Sequence, residues 1–115
     1  MPQINIFISK KLDENTKNLL QNDIADSMPA ISGKSDKTLV CCIVDECNMY
    51  KIRQKVEYAF YDIRLLGVAT HEDKEAFAKL IFDTTERIVN IPPEHVQLSF
   101  SEFNAWAVGG NYKKI

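Results

Sequence analysis

Pro2 is the first residue of the chain that could do chemistry. The chain begins Met-Pro and continues at once into an alternating stretch, in which Ile4, Ile6 and Ile8 are separated by Asn5 and Phe7. This alternation predicts a strand that starts with the first residues. Met followed by a small residue is a good substrate for removal of the initiator methionine. Removal would leave Pro2 as a free secondary amine, held in place by the strand behind it.

The amine of Pro2 could act as a general base only with a suitable pKa. A base that works at neutral pH needs a pKa near that pH, whereas an ordinary α-amine titrates at about 7.7–8.0 and a secondary amine higher. Burial and neighbouring cations both disfavour the ammonium and lower the pKa. A proline amine in an apolar, cation-lined pocket is therefore a candidate base. The alternative is that Met-Pro is a common start and Pro2 only begins an edge strand.

The cysteines and histidines are the other reactive side chains. Cys41, Cys42 and Cys47 are an odd number of thiols with two adjacent, which argues against a disulfide framework. Their stretch contains no Cys-x-x-Cys spacing and no histidine, so we expect small strand residues rather than metal ligands. His71, at a helix start, and His95, before a strand, are both expected at exposed positions without a catalytic or metal role.

The first half of the chain is predicted to form a strand–helix–strand unit. After the first strand, Asp13 begins a helix with acids suited to its dipole, and Pro29 ends that helix near Ser27. The apolar, branched stretch from Thr38 to Val44 predicts a strand buried on both faces. Residues 45–55 are expected to be an exposed loop or a short turn of helix.

The second half repeats this pattern. Residues 56–67 predict a long strand, Thr70 can cap the next helix, and Asn90 with the two prolines after it stops that helix. Residues 96–101 alternate as a fourth strand, and the glycines at 109–110 break off a short terminal segment. The apolar face of the second helix is predicted to contain Phe77, Leu80, Ile81, Thr84 and Ile88.

Two such units side by side predict an α/β (α+β) fold, with a four-stranded sheet and both helices on one face. A helix that connects two strands usually joins parallel neighbours. The length of 115 residues predicts one domain, 1–115, with two pseudo-repeats of about 1–55 and 56–115. The other face of the sheet would lack a covering layer, so we expect the chain to oligomerise through it.

Composition excludes several classes of partner. Hydrophobic residues make up 45% and charged residues 26%, as in soluble globular proteins. The net charge of −2, with both signs interspersed, gives no basic surface for nucleic acid. No apolar run approaches the roughly 18 residues of a membrane span, and the start lacks a secretory signal. We expect a cytoplasmic protein without nucleic-acid or membrane partners, and non-classical secretion stays open.

Four stretches, in order, carry a resemblance to a known family. They are P-Q-I-N-I-F at 2–7, S-G-K at 32–34, L-L-G at 65–67 and I-P-P-E-H-V-Q-L-S-F-S-E-F-N-A-W-A-V-G at 91–109. The last is the most specific, with a proline-acid-x-valine turn, an acid-x-asparagine-alanine segment and a valine-glycine. Over almost the whole chain, the sequence resembles the macrophage migration inhibitory factor (MIF) family of phenylpyruvate or dopachrome tautomerases, in the tautomerase superfamily.

This resemblance implies a homotrimer with active sites between adjacent subunits, and no cofactor or metal. The implied reaction is keto–enol tautomerisation of a small α-keto acid such as phenylpyruvate. Pro2 would take a proton from carbon and return it on the other side. Lys34 corresponds to the family's pocket lysine, which would bind the substrate carboxylate. Leu66 matches a position whose backbone contacts the substrate.

Arg64 lies on the same strand face as Leu66 by the two-residue period, and two interpretations of it stay open. It could add positive charge for an anionic substrate, or it could pair with Asp62 along the channel of the trimer. Relatives in the wider superfamily hydrate or decarboxylate substrates with arginines and an acid. Arg64 and Glu102 could be used in that way, although neither lies in a matching motif.

The sequence departs from the family pattern at three positions. The family commonly has tyrosine and asparagine on the fourth strand, entering the neighbouring subunit's pocket, where this chain has Gln97 and Ser99. Gly110 replaces an expected aromatic wall, and part of that space could be filled by Phe103, Trp106 or Tyr112. Glutamine does not reproduce an aromatic ring, so a smaller or more polar keto acid is expected. The alternatives are a non-catalytic, cytokine-like trimer and a generic ligand-binding module.

Overall fold

Two strand–helix–strand units lie side by side in the computed structural model, which describes residues 1–115. The main strands are β1 (Pro2–Ile8), β2 (Val40–Val44), β5 (Ala59–Leu66) and β6 (Val96–Phe103), and the helices are α1 (Glu14–Ser27) and α2 (His71–Thr84). Two hairpins complete the chain: β3 (Tyr50–Lys51) with β4 (Gln54–Lys55), and β7 (Ala105–Val108) with β8 (Asn111–Lys114). Neither helix is long and apolar enough to cross a membrane.

The four main strands form one mixed sheet in the order β2-β1-β5-β6. β1 pairs in parallel with β2, and β5 pairs in parallel with β6, as expected for strands connected through a helix. β1 and β5 are antiparallel at the centre, where Pro2 lies opposite Leu65. The predicted α/β sheet of two units is therefore confirmed.

The core lies between one face of the sheet and the two helices. Every second residue of β1 and β5 faces this core and is fully buried, as the two-residue period predicts. The largest buried side chains of the sheet and the helices are Ile4, Ile6, Ile8, Tyr61, Ile63, Leu65, Leu20, Ile24, Phe77 and Ile81. The opposite face carries half-buried residues such as Phe7 and Phe60, which stack at 6.1 Å, and no helix covers it.

The helix ends follow the expected capping residues. The side chains of Asp13 and Thr70 each accept a hydrogen bond from the backbone N–H three residues later, which satisfies one free donor of the first turn. α1 ends at Ser27, just before Pro29, as predicted. α2 continues into a π-helical turn that Asn90 ends in the left-handed conformation, with a φ of 62°.

Two burial predictions are wrong. β2 was expected to be buried on both faces, but 55% of Val40 and 41% of Val44 are exposed. β2 is an edge strand of the sheet, and its outer side chains lie on the uncovered face. Leu80 was expected in the core, but 42% of it is exposed because it lies at the margin of the apolar stripe of α2.

Residues 50–55 form the β3–β4 hairpin, where a loop or a turn of helix was predicted for residues 45–55, and residues 45–49 are a loop as predicted. Its turn residues, Ile52 and Arg53, both have positive φ, at 51° and 61°. Asn-Gly or Asp-Gly usually marks this conformation. Because a branched and a long residue stand there instead, the sequence gives no indication of the turn.

Candidate functional site

The start of the chain, the loop after α1 and the end of β5 meet at one end of the sheet. Pro2 is buried opposite Leu65 in the register of β1 and β5. The ammonium of Lys34 donates to the carbonyl of Leu66 at 2.7 Å. The backbone N–H of Leu66 donates to the carbonyl of Met1 at 3.2 Å. The fold thus brings three of the predicted site residues together.

Lys34 reaches this position because the loop turns sharply after α1. Ile31 is buried and anchors the loop to the core, and its carbonyl accepts the N–H of Lys34 at 3.0 Å. Gly33 between them has a φ of 80°, which a residue without a Cβ adopts readily. The N–H of Ser32 donates to the carboxylate of Asp73 on α2, which fixes the other side of the turn.

The amine at the start of the chain lies in a partly dehydrated, positively charged environment. Burial lowers the pKa of the Met1 amine, and the charge and hydrogen bonding of Lys34 lower it further. The charge of Lys113, near the other end of the chain, also lowers this pKa. An amine in these surroundings loses its proton more easily, and the cations beside it can hold an anion.

Arg64 is not paired with Asp62. The guanidinium carbon of Arg64 lies 5.1 Å from the ring centroid of Phe103 on β6, within cation–π range. Phe103 packs in turn against Trp106, with ring centroids 5.8 Å apart. The carboxylate of Asp62 accepts a hydrogen bond from the amide of Asn5 at 3.1 Å instead. The predicted Asp62–Arg64 pair is therefore wrong, and the positive charge of Arg64 has no acidic partner.

Glu102 has a structural task. Its carboxylate accepts the N–H of Ala69 at 2.6 Å and pairs with the ammonium of Lys74 at 3.0 Å. These two interactions hold the pKa of Glu102 below its usual range. An acid that activates water must accept and release protons, so the suggested use of Glu102 for this purpose is not supported.

Gln97 and Ser99 are exposed and lie far from Pro2 within the chain. Gln97 is opposite Phe60 in the sheet, five residue pairs from the Leu65–Glu102 pair. At about 3.3 Å per residue, this separation is roughly 16 Å. Gln97 also lines a surface cavity of about 330 Å³ with Met49, Tyr50, Lys51, Tyr58 and Phe60. A role for Gln97 and Ser99 in a neighbouring subunit's pocket stays a prediction.

The C-terminal hairpin lies beside the end of β5. Gly109 and Gly110 form its turn with φ values of 58° and 83°, so Gly110 serves the turn rather than an aromatic wall. The N–H of Gly67 donates to the carbonyl of Phe103 at 2.7 Å, and the N–H of Ile115 donates to the carbonyl of Asn104 at 3.0 Å. The first bond joins Gly67 to the end of β6, and the second closes the base of the hairpin that follows β6.

The remaining reactive side chains lie elsewhere. Cys41 is half-buried on β2, and burial raises the pKa of its thiol to about 11. No group of three or more metal-ligating side chains is arranged to hold an ion. His71 is exposed at the start of α2, as expected. His95 is only half-exposed because it stacks on Tyr58, with ring centroids 5.8 Å apart.

Comparison with solved structures identifies proteins of the same fold. No family model matches the chain and no curated protein sequence matches it, but solved structures do. MIF2 of Leishmania major has a TM-score of 0.90 at 14% identity, covering 97% of each chain. The MIF-like protein of Entamoeba histolytica has a TM-score of 0.83 at 18% identity, covering 96% of this chain and 97% of that one.

A third similar structure is Pt0534 inactivated by 2-oxo-3-pentynoate, with a TM-score of 0.83 at 16% identity and coverage of 94% of this chain and 93% of that one. The similarity extends over nearly the full length in all three cases, and the identity is low in each. The chain therefore has the fold that these two MIF proteins and Pt0534 share.

Proposed function

We propose that the chain is a cofactor-free keto–enol tautomerase of small α-keto acids, and that Pro2 becomes its general base and acid once Met1 is removed. The observation that carries this proposal is the meeting of the chain's amine, Lys34 and Leu66 at one end of the sheet. The fold supports it because neighbours with the same fold include tautomerases.

Removal of Met1 would supply two groups for catalysis. It would free the nitrogen of Pro2, and it would also free the N–H of Leu66, which the carbonyl of Met1 now accepts. Lys34 would bind the substrate carboxylate, and Pro2 would take a proton from the carbon next to the ketone. Negative charge then develops on the ketone oxygen, where the N–H of Leu66 and the ammonium of Lys34 would stabilise it. Return of the same proton to oxygen completes the reaction.

The pKa of the Pro2 amine is expected to be lowered for the same reasons as that of Met1. Pro2 is buried, and Lys34 lies beside this end of the chain. A lowered pKa leaves more of the amine neutral at pH 7, as a general base requires. The bond between the nitrogen and Cα of proline is part of a ring and cannot rotate freely, so strand β1 fixes the direction of the amine.

We further propose a homotrimer in which Gln97 and Ser99 enter the pocket of the adjacent subunit. The sheet face opposite the helices is uncovered in a single chain and carries the stacked Phe7 and Phe60. Exposed apolar area of this kind indicates an interaction surface.

The first test is the tautomerisation rate of phenylpyruvate, measured with protein whose mass shows that it starts at residue 2. Pro2→Ala, processed in the same way, is expected to lose roughly 100-fold or more of the rate, since general acid–base groups contribute about that much. Protein that retains Met1 is expected to be equally slow. Equal rates for the processed wild type, Pro2→Ala and the protein that retains Met1 would refute the proposal. That result would favour a binding or interaction protein, an alternative with which the exposed Gln97 and Ser99 are compatible.

A covalent probe tests the amine without assuming the substrate. The keto acid 2-oxo-3-pentynoate has an alkyne conjugated to its ketone, and a neutral amine adds to such a carbon. We expect a single adduct on Pro2 of the processed chain, competed by phenylpyruvate, and no adduct on Pro2 when Met1 is retained, because the nitrogen of Pro2 is then an amide. Labelling spread over lysines, with no preference for residue 2, would count against a special amine.

A further inference from the structure

Lys113 places a second lysine charge beside the same site, from the C-terminal hairpin. In the register of β7 and β8, Lys113 lies directly opposite Trp106, and Lys114 lies opposite Ala105. Directly opposed residues of an antiparallel pair have their side chains on the same face, and successive residues alternate. Lys113 therefore shares the face of Trp106, and Lys114 points to the other face.

The face of the hairpin that carries Trp106 lies against the end of β6, where Phe103 is opposite Leu66. Trp106 packs on Phe103, and Phe103 carries the guanidinium of Arg64. Arg64 lies opposite Gln3, one residue pair from Pro2. The charge of Lys113 also acts on the amine at the start of the chain, which agrees with this placement.

None of the three cations around this site is paired with an acid. Lys34, Arg64 and Lys113 take part in no ion pair, although the chain as a whole has a net charge of −2. The nearby acids have other partners, since Glu102 binds Lys74 and Asp62 accepts from Asn5. A substrate with one carboxylate would leave Lys113 and Arg64 without a counter-charge.

From these positions we infer that the site takes a dianionic α-keto acid, with Lys34 on the carboxylate next to the ketone and Lys113 on a second, distal carboxylate. This inference rests on the proposed function and names the substrate class for the same site. The reaction is unchanged: one proton moves from the carbon between the two functional groups to Pro2 and then to oxygen. No oxidant, reductant or further reactant is needed.

The test compares two substrates on two variants, all with chains that start at Pro2. Phenylpyruvate is the monoanionic probe and oxaloacetate the dianionic one. Lys113→Ala is expected to raise KM for oxaloacetate about tenfold, the effect of losing one charged hydrogen bond, and to leave KM for phenylpyruvate within about twofold. Lys114→Ala removes the same charge from the same strand and is expected to change neither KM.

Two outcomes would overturn the inference while leaving the proposed function intact. One is a Pro2-dependent rate for both substrates with no effect of Lys113→Ala on either. The other is an equal loss for Lys113→Ala and Lys114→Ala, which indicates only a general field. Each substrate serves as its own reference, so their difference in size does not enter the comparison.

Binding of unreactive analogues separates this inference from failure of the proposed function. If neither substrate is turned over, the proposed function fails, and calorimetry with malate and with 3-phenyllactate still decides the charge preference. Weaker malate binding in Lys113→Ala, with 3-phenyllactate and Lys114→Ala unaffected, supports a dianion site. No difference between the variants rejects it.

Discussion

At the scale of single residues, the proposed chemistry depends on one amine and on the charges around it. Met1 has a double effect, because its own amine lies where the cations act and its carbonyl occupies the N–H of Leu66. On the proposed function, processing of one residue would therefore create the base and release a donor for the developing oxyanion in one step. Lys34 also has two effects. Its charge lowers the pKa of the amine, and its ammonium donates a hydrogen bond to the carbonyl of Leu66.

Lys34→Ala is expected to raise the pKa of the Pro2 amine, because it removes a charge that disfavours the ammonium. The rate rises with pH as the amine loses its proton, so the acid limb of kcat/KM should move to higher pH. At pH 7 we expect a loss of at least about tenfold, since a charged contact to the substrate is lost too. A pH–rate profile checks this against Lys37→Ala, an exposed lysine of the same loop. A limb that stays in place in Lys34→Ala would contradict the assignment.

At the scale of elements, a polar cluster fixes the packing of α1 against α2. The carboxylate of Asp23 on α1 accepts hydrogen bonds from the hydroxyl of Thr84 and, at 2.8 Å, from the guanidinium of Arg87. Thr84 is buried, so its hydroxyl needs this partner. The hydrogen bond from Thr84, followed by the interaction with Arg87, holds the pKa of Asp23 below its usual range.

Asp23→Ala is expected to lower the free energy of unfolding at pH 7 by about 1–2 kcal/mol, since it leaves a buried hydroxyl without its acceptor. Because the folded-state pKa is lowered, this contribution is complete above the unfolded pKa of about 3.9 and is lost as the pH falls through the folded value. The gap to wild type should therefore be constant from about pH 5 to 8 and should narrow below about pH 4. Urea unfolding across this range tests it, with Asp26→Ala, an exposed acid of the same helix, as control. An equal effect of both variants would contradict a specific role.

The sequence predicts which residues form the helices and main strands better than it predicts the exposure of a strand or the position of a turn. Alternation and capping residues identify β1, β5, β6 and both helices, because these signals are local. The exposure of β2 depends on which strand lies at the edge, and the β3–β4 turn uses Ile52 and Arg53, which no turn preference indicates.

Prediction of the candidate site from the sequence is limited in the same way. That Pro2, Lys34 and Leu66 lie close together could be anticipated from motifs, whereas the position of Lys113 could not, since it depends on the register that sets Lys113 opposite Trp106. For Arg64 the sequence left open charge for a substrate or a pair with Asp62, and the contact with Phe103 that the structure shows could not be anticipated because it depends on the path of β6.

At the scale of the whole molecule, one face of the sheet has no layer packed against it in a single chain. Val40 and Val44 of the edge strand pair with Gln3 and Phe7, so these side chains share one face with the Phe7–Phe60 stack. A 115-residue chain with a single helical layer cannot cover both faces of its sheet. Association of copies through this face would bury these apolar side chains and bring the distant Gln97 and Ser99 of one copy toward another.

Val44→Asp is therefore expected to dissociate the proposed trimer into monomers. The mass of the particle would then fall from three times the chain mass to the chain mass of 13.1 kDa. Leu80→Asp is the matched control, because Leu80 is 42% exposed on α2 and Val44 is 41% exposed on the sheet. Both variants place an acid at a half-exposed apolar position, so only the layer differs. Analytical ultracentrifugation should show a loss of the trimer for Val44→Asp alone. If the activity depends on residues from two copies, the phenylpyruvate rate should fall with the trimer and should recover as the protein concentration rises. A monomeric wild type with full activity would show that one chain supplies the whole site.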